Sequence, residues 1–279
     1  MSGSAVAGSV AVALGSAADA LAAAGVESPR LDAELLLERV TGRDRAQLIA
    51  RPEAPVDAAA AREFGAMVRR RLRREPIAYI LGGKGFRRLD LAVDRRVLIP
   101  RPETELLVEL ALELEPLSVL DVGTGSGAVA LAAADELPAA TVVATDTSLD
   151  ALAVAQANRD RLGLGDRVRL AYGSLERGRF DLLLANLPYV SAGEWEGLAP
   201  EIREYEPREA LVSGPTGLEA IEEVLGDVAV SPEPPSAIGL EVGIGQAATV
   251  AELVRRAGFE RIEIRPDLAG IDRAVVGWL

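Results

Sequence analysis

The chain has 279 residues, 30 Lys+Arg against 43 Asp+Glu for a net charge of -13, 49% hydrophobic residues, and neither cysteine nor histidine. That length and apolar content suffice for one large domain or two modest ones around a buried core, while the two missing residue types exclude disulfides, thiolate or imidazole metal sites, a cysteine nucleophile and a Ser-His-Asp relay. Residues 91–279 hold 16 basic and 32 acidic side chains against 14 and 11 in residues 1–90, so the larger part repels nucleic-acid phosphates at long range.

Met1–Gly15 is small and apolar but lacks the basic start of a secretory signal, and no apolar run is long enough to span a bilayer; the expectation is a cytoplasmic protein. From about Ala11 to Arg74 the pattern is helical. Leu31, Ala33, Leu35, Leu36, Leu37 and Val40 recur at helical spacing after Ser28-Pro29, and Gly42 signals a stop. Gly25, Gly42, Pro52 and Pro55 cut the region into short helices, which predicts a helical bundle over residues 1–74. Arg69, Arg70, Arg71, Arg73 and Arg74 close it, as a solvated helix end or as a contact for an acidic partner or RNA. Residues 75–102 change texture to Gly82-Gly83, Gly85-Phe86, alternating Leu89, Leu91 and Val93, then Val97-Leu98-Ile99, which predicts a β-hairpin linker ended by Pro100 and Pro102.

Residues 103–279 alternate strand and helix. The predicted strands are Ser118–Val122, Thr141–Asp146, Val168–Tyr172, Phe180–Ala185 and Ala237–Val242, and the helices lie near Ala128–Glu136, Leu149–Leu162, Leu218–Val228 and Ala247–Ala257. This cadence implies an α/β fold with a parallel sheet covered on both faces. Arg261–Arg265 and Ala274–Trp278 read as an antiparallel pair at its edge.

The first of these strands runs into Asp121-Val122-Gly123-Thr124-Gly125-Ser126-Gly127-Ala128. Alternate glycines permit a tight turn and let a ligand lie against bare backbone, and the following helix aims its N-terminal amides at the same place. Gly123, Gly125 and Ala128 also fit the dinucleotide pattern, and Asp146 lies 23 residues after Gly123, where an acidic residue holds a ribose for either ligand. Three features favour S-adenosylmethionine: Asp121 as a partner for a cationic amino-acid moiety, Gly127 at the fifth loop position, and the antiparallel edge pair.

The fourth strand delivers Asn186-Leu187-Pro188-Tyr189 at its carboxyl end, the edge of an open α/β sheet where ligands sit. An Asn oxygen and an adjacent backbone carbonyl can together accept both hydrogens of a planar NH2 group, Pro188 stiffens the turn, and Tyr189 can stack over the plane.

With these segments in place, the sequence resembles the protein-glutamine N5-methyltransferases that modify class 1 peptide chain release factors, over nearly the whole chain from about Ser28. Pro29–Leu37 resembles the family's N-terminal helix; Glu75–Gly82 and Leu98–Glu105 resemble its linker and the entry to its catalytic domain; Tyr205–Leu211 and Gly214–Leu218 are also typical. Leu187 stands where the family usually has a proline, with its backbone carbonyl unchanged, and Ser174-Leu175 stands where an acidic residue and an aromatic often frame the adenine.

The resemblance implies a seven-stranded, Rossmann-like, S-adenosylmethionine-dependent methyltransferase sheet over 103–279, with the 1–74 bundle helping to dock the release factor. It places Asn186, Leu187, Pro188 and Tyr189 in catalysis and substrate binding. Gly123, Thr124, Gly125, Ser126, Gly127, Asp146, Ser174 and Asn186 fall to the cofactor, with Pro102 and Thr104 roofing its methionine end and no metal. Arg101, Glu103 and Glu105 read equally as a helix N-terminus with ion pairs, and Glu241 as structural. A monomer without stable nucleic-acid binding is expected. An adenine N6-methyltransferase needs the same clamp and is the alternative function; a donor-binding module and a dehydrogenase fit less well. Because no histidine is present, the enzyme itself is expected to show no inflection in activity near neutral pH.

Overall fold

The computed structural model describes residues 6–279; residues 1–5, within the expected N-terminal domain and the Met1–Gly15 opening, lie outside the described residues. The chain forms two compact units, one running up to Gly82 and including Ala199–Tyr205, the other comprising Gly83–Leu198 and Glu206–Leu279. Among the described residues no helix is long and apolar enough to cross a membrane.

The first unit contains β1 (Val6–Ser9), α1 (Val10–Ala23), α2 (Pro29–Thr41), α3 (Arg45–Ala50), β2 (Pro55–Asp57), α4 (Ala58–Leu72) and α5 (Ile77–Leu81). Its helix limits follow local chemistry. Pro29 opens α2, left-handed Gly42 closes it, Asp44 and Gln47 form a capping box on α3, and the Asp57 carboxylate accepts the N–H groups of Ala59 and Ala60 on α4. Leu14, Leu21, Leu36, Leu37, Leu48 and Phe64 form its core.

Leu31, part of the predicted apolar stripe, is exposed, whereas Asp32 and Glu34 are buried. Both acids are paired: Glu34 binds Arg30 and Arg45 at 2.7 Å each, and Asp32 takes Arg71 Nε at 2.7 Å. The arginine cluster is accordingly not simply a solvated helix end. Arg71 is buried between Asp32 and Glu201, Arg74 makes a two-pronged contact with Glu201 at 2.6 Å on each arm, and Arg70 does the same with Glu75. Glu201 and Tyr205, whose hydroxyl donates to the Arg73 carbonyl at 2.7 Å, belong to the late segment that this unit takes in.

The second unit opens with the hairpin β3 (Gly83–Phe86) and β4 (Leu89–Ala92), paired from Gly83↔Ala92 to Phe86↔Leu89. It is shorter than the predicted 75–102 linker and groups with the sheet unit. Ile77–Leu81 is helical and Val97–Ile99 forms no strand. The Asp94 carboxylate takes both the backbone N–H and the guanidinium of Arg96, bending the chain, and Pro100 and Pro102 cannot donate to a ladder.

There follow α6 (Glu105–Leu114), β5 (Ser118–Val122), α7 (Ala128–Glu136), β6 (Thr141–Asp146), α8 (Leu149–Arg161), β7 (Val168–Tyr172) and β8 (Leu182–Ala185). After α9 (Pro200–Tyr205), which belongs to the first unit, come α10 (Glu219–Ala229), β9 (Ala237–Glu241), α11 (Ala247–Arg256), β10 (Arg261–Pro266) and β11 (Asp272–Trp278). The seven strands lie in the order β10-β11-β9-β8-β5-β6-β7. β5 to β9 are parallel, and β11 and β10 join antiparallel at one edge as expected.

Alternation along the strands builds two cores. Val119, Leu182 and Leu184 face α6 and α7, while Leu120, Val122, Leu183 and Ala185 face α10 and α11. β5 and β8 are sheet neighbours whose connections run to opposite sides, so their carboxyl ends make the crevice in which the glycine loop and the tetrapeptide meet.

Candidate functional site

β5 passes directly into the glycine loop, where Gly123, Gly125 and Gly127 have φ of 73°, 56° and 85°. Other residues rarely adopt that region. At Gly127 a Cβ would also lie 2.8 Å from Leu131 Cδ1, so this glycine serves helix packing as well as the turn. The Gly123 and Thr124 N–H groups donate to the Thr145 carbonyl of β6, and the Gly125 N–H donates to Asp146 Oδ2, all at 2.9 Å.

Asp146 takes the Ser148 N–H on its other oxygen at 2.8 Å. Burial raises its carboxyl above the ordinary value against these stabilising hydrogen bonds. Asp121 does not line the cavity. It is buried, receiving the Thr124 hydroxyl at 2.7 Å and the Ala130 N–H at 3.1 Å, and it braces the loop from beneath. Burial pushes its carboxyl up to about 7.

A cavity of about 420 Å³ opens over this edge. Gly123, Gly125, Asp146, Ser174, Asn186, Leu187 and Pro188 are all in its wall. Thr124, Ser126 and Gly127, expected at the cofactor, are not in the wall, and Thr124 and Ser126 are buried inside the loop. Tyr189 is likewise outside it, half-buried, with its carbonyl accepting Gln246 Nε2 at 2.9 Å. A Cβ on Gly217 would come within 2.5 Å of that carbonyl.

Leu187 packs its side chain into the core and over the loop; a Cβ on Gly123 would be 3.2 Å from Leu187 Cδ2 and 3.7 Å from the Asn186 carbonyl oxygen. The tetrapeptide and the glycine loop therefore form one continuous surface.

The Asn186 amide is held from behind, its Nδ2 donating to Thr104 Oγ1 at 2.9 Å. Thr104 and Pro102 do not roof the cavity; buried Thr104 is instead the seat of Asn186. The residues around Thr104 follow the helix-and-ion-pair reading. Glu105 begins α6, and Arg101 pairs with buried Glu206, which also takes the Ile99 N–H at 3.0 Å.

Several contributors escaped the sequence reading. Asn158, fully buried on α8, donates to the carbonyls of Ser126 and Ala92 at 2.9 and 3.0 Å and accepts the Ala92 N–H at 2.7 Å, tying glycine loop to hairpin. Pro207, Glu209, Ser213, Gly214, Glu219 and Glu223 also line the cavity. Of these, Pro207, Glu209 and Gly214 fall in the family-typical segments Tyr205–Leu211 and Gly214–Leu218. The expectation of no inflection in activity near neutral pH rests on the lack of histidine, yet burial pushes the carboxyls of Asp121 and Glu241 up to about 7 by penalising their charged forms.

Residues 13–82 match the family described as the PrmC N-terminal domain, and residues 105–203 match that described as ribosomal protein L11 methyltransferase (PrmA). The release factor glutamine methyltransferase of Geobacter sulfurreducens is 42% identical over 263 residues, covering 92% of this chain and 92% of that protein. The proteins of the same description from Moorella thermoacetica and Bordetella pertussis are 42% and 44% identical, covering 95% and 90% of this chain and 97% and 95% of their own.

Similar solved structures include the catalytic domain of human hMettl16, with a TM-score of 0.58 at 14% identity over 67% of this chain and 74% of that one. A methyltransferase from Pyrococcus furiosus has a TM-score of 0.51 at 18% identity, over 68% and 88%. These two share the fold. The curated relatives go further: at such identity across at least nine-tenths of its length, the chain belongs to the release factor glutamine methyltransferase family.

Proposed function

We propose that the chain transfers the methyl group of S-adenosylmethionine to the N5 side-chain amide of a glutamine in class 1 peptide chain release factors. The observation that carries the reading is that Asn186, Leu187 and Gly123 share one cavity wall, which brings a clamp for a planar NH2 group beside a bare-backbone loop at one sheet edge. The site fits the donor: Gly123 and Gly125 of the loop leave the backbone open in its wall, Asp146 can meet ribose hydroxyls, and Glu209, Glu219 and Glu223 favour a cationic occupant. Ser174, in the same wall, is assigned to the adenine end. S-adenosylmethionine, when bound, supplies the methyl on a positively charged sulfur.

The chain supplies alignment. An amide nitrogen is a poor nucleophile because its lone pair is delocalised. Asn186 Oδ1 and the Leu187 carbonyl accept its two hydrogens and fix its plane, with Pro188 stiffening the turn. Alignment of this kind contributes several kcal/mol, up to about 7–11 in well-oriented cases. The same two oxygens point their negative ends at the nitrogen as it becomes positive, and its proton then passes to water or a neighbouring oxygen. The N-terminal bundle helps to dock the release factor, and the protein acts as a cytoplasmic monomer.

The test is incubation with labelled donor and either release factor or deproteinised nucleic acid. Label should enter the release factor, at glutamine; incorporation only into nucleic acid would transfer the reading to adenine N6. Asn186→Ala should abolish transfer and leave donor affinity within about threefold.

A further inference from the structure

Glu241 ends β9 at 3% exposure. Its Oε2 has no hydrogen-bond partner, and its Oε1 receives the Tyr189 hydroxyl at a long 3.5 Å. The Thr104 hydroxyl is close enough to the same carboxylate to favour its charged form. That hydroxyl is also the acceptor for Asn186 Nδ2. A hydroxyl carries one proton and an ionised carboxylate none. Thr104 Oγ1 already accepts from Asn186, so its own proton is the one it has to give, and a charged Glu241 is the neighbour that favours taking it; in that state Thr104 meets Asn186 only as an acceptor. The NH2 end of Asn186 is thereby held against Thr104, and Oδ1 is left for the cavity whose wall Asn186 forms.

We propose that Glu241 is a positioning residue for the clamp: through Thr104 it decides which end of the Asn186 amide faces the substrate, and through the Tyr189 hydroxyl it steadies the other end of the tetrapeptide. This rests on the reading of Asn186 as the acceptor for the glutamine amide. The orientation matters because an Asn186 side chain rotated by half a turn would present N–H donors to an NH2 group that is itself a donor. The arrangement also explains why a chain would keep a carboxylate with an orphaned oxygen at the end of a buried strand, where an apolar residue would pack without penalty.

Four groups face Glu241. Arg273 on β11 and the hydroxyls of Thr104 and Tyr189 favour its charge, and burial, helped by Glu103 in the turn Pro102–Thr104, outweighs those three. Its carboxyl consequently gains a proton as the pH falls through about 7. Once protonated it can donate, Thr104 is free to donate to Asn186, and the constraint on the amide is gone. Positioning is present above that pH and lost below it.

The experiment is steady-state kinetics on release factor with the wild type, Thr104→Val, Thr104→Ser, Glu241→Gln and Asn186→Ala, with donor affinity measured for each by calorimetry. Glu241→Gln keeps the shape but can meet Thr104 with either end. Glu241→Gln and Thr104→Val should each lower kcat on the order of tenfold, with KM and donor affinity within about threefold. Thr104→Ser should recover most of the loss. The acid limb of the wild-type kcat profile near 7 should vanish in Glu241→Gln. Wild-type kcat in Thr104→Val and Glu241→Gln, or an acid limb that persists in Glu241→Gln, overturns the proposal while Asn186→Ala remains inactive. Turnover surviving in Asn186→Ala instead removes the clamp reading itself.

Discussion

Asp121 offers a direct check on the electrostatics beneath the glycine loop. It sits at 1% exposure, and burial raises its carboxyl from an ordinary 3.8 to about 7 despite the Thr124 hydroxyl and the Ala130 N–H, with Asp146 adding repulsion. Between those values the unfolded chain has released the proton and the folded protein still holds it. Asp121 therefore contributes stability that is complete below 3.8 and is lost as pH rises through about 7. The loss is about 1.4 kcal/mol per pH unit across that window, roughly 4 kcal/mol in total and roughly 3 between about pH 5 and about pH 8. Asp121→Asn has the same shape, keeps an oxygen for both donors, and has no proton to release. Urea unfolding of wild type and variant, without methyl donor, at these two pH values is the assay. The stability difference should shift in favour of the variant by roughly 3 kcal/mol at the higher pH. Parallel pH dependences would show that the folded carboxyl titrates as it does in the unfolded chain, and would refute the reasoning.

Asn158→Ala leaves the Ala92 and Ser126 carbonyls and the Ala92 N–H short of a buried partner; urea unfolding should show a loss of about 3 kcal/mol or more, at 1–3 for each such group, and calorimetry a weakened donor affinity. Arg71→Met strands Asp32 without its cation inside the first unit, so thermal unfolding should report a loss of about 3–5 kcal/mol, and adding Asp32→Leu should restore most of it. Leu187→Pro removes a buried side chain but keeps the carbonyl; it should cost about 1–3 kcal/mol in stability while turnover on release factor stays within about tenfold of wild type.

Much of the site was legible because it is written in backbone chemistry. Glycines at 123, 125 and 127 can be read as left-handed turns, and all three are. The strands of the sheet show themselves through apolar runs bounded by turn residues, so Ser118–Val122, Thr141–Asp146 and Val168–Tyr172 lie at their predicted positions. Side-chain partnerships across long stretches of sequence leave no such trace. Asn158 reaches residues 66 and 32 positions away, and Asn186 reaches Thr104 across 82. In the sequence Asn158 is one polar residue among several on the helix Leu149–Arg161. The arginine run misled for a related reason: five cations in six positions look solvated until Asp32 and Glu201 arrive from distant segments to neutralise them.

The absence of histidine shows how far composition alone can take an argument about mechanism. It correctly removes imidazole from the site, but an ordinary pKa is a property of a solvated side chain, and neither Asp121 nor Glu241 is solvated. Each carboxyl reaches the range usually left to histidine, chiefly because burial, with a nearby carboxylate adding repulsion, outweighs its hydrogen bonds. The two do so at different depths. Asp121 acts on the loop through Thr124 and Ala130, whereas Glu241 reaches the clamp through Thr104 and Tyr189. A single near-neutral inflection in wild-type activity could come from either, and only the pair of isosteric variants separates them. Asp121→Asn should change stability against pH and leave the acid limb of kcat in place; Glu241→Gln should remove that limb.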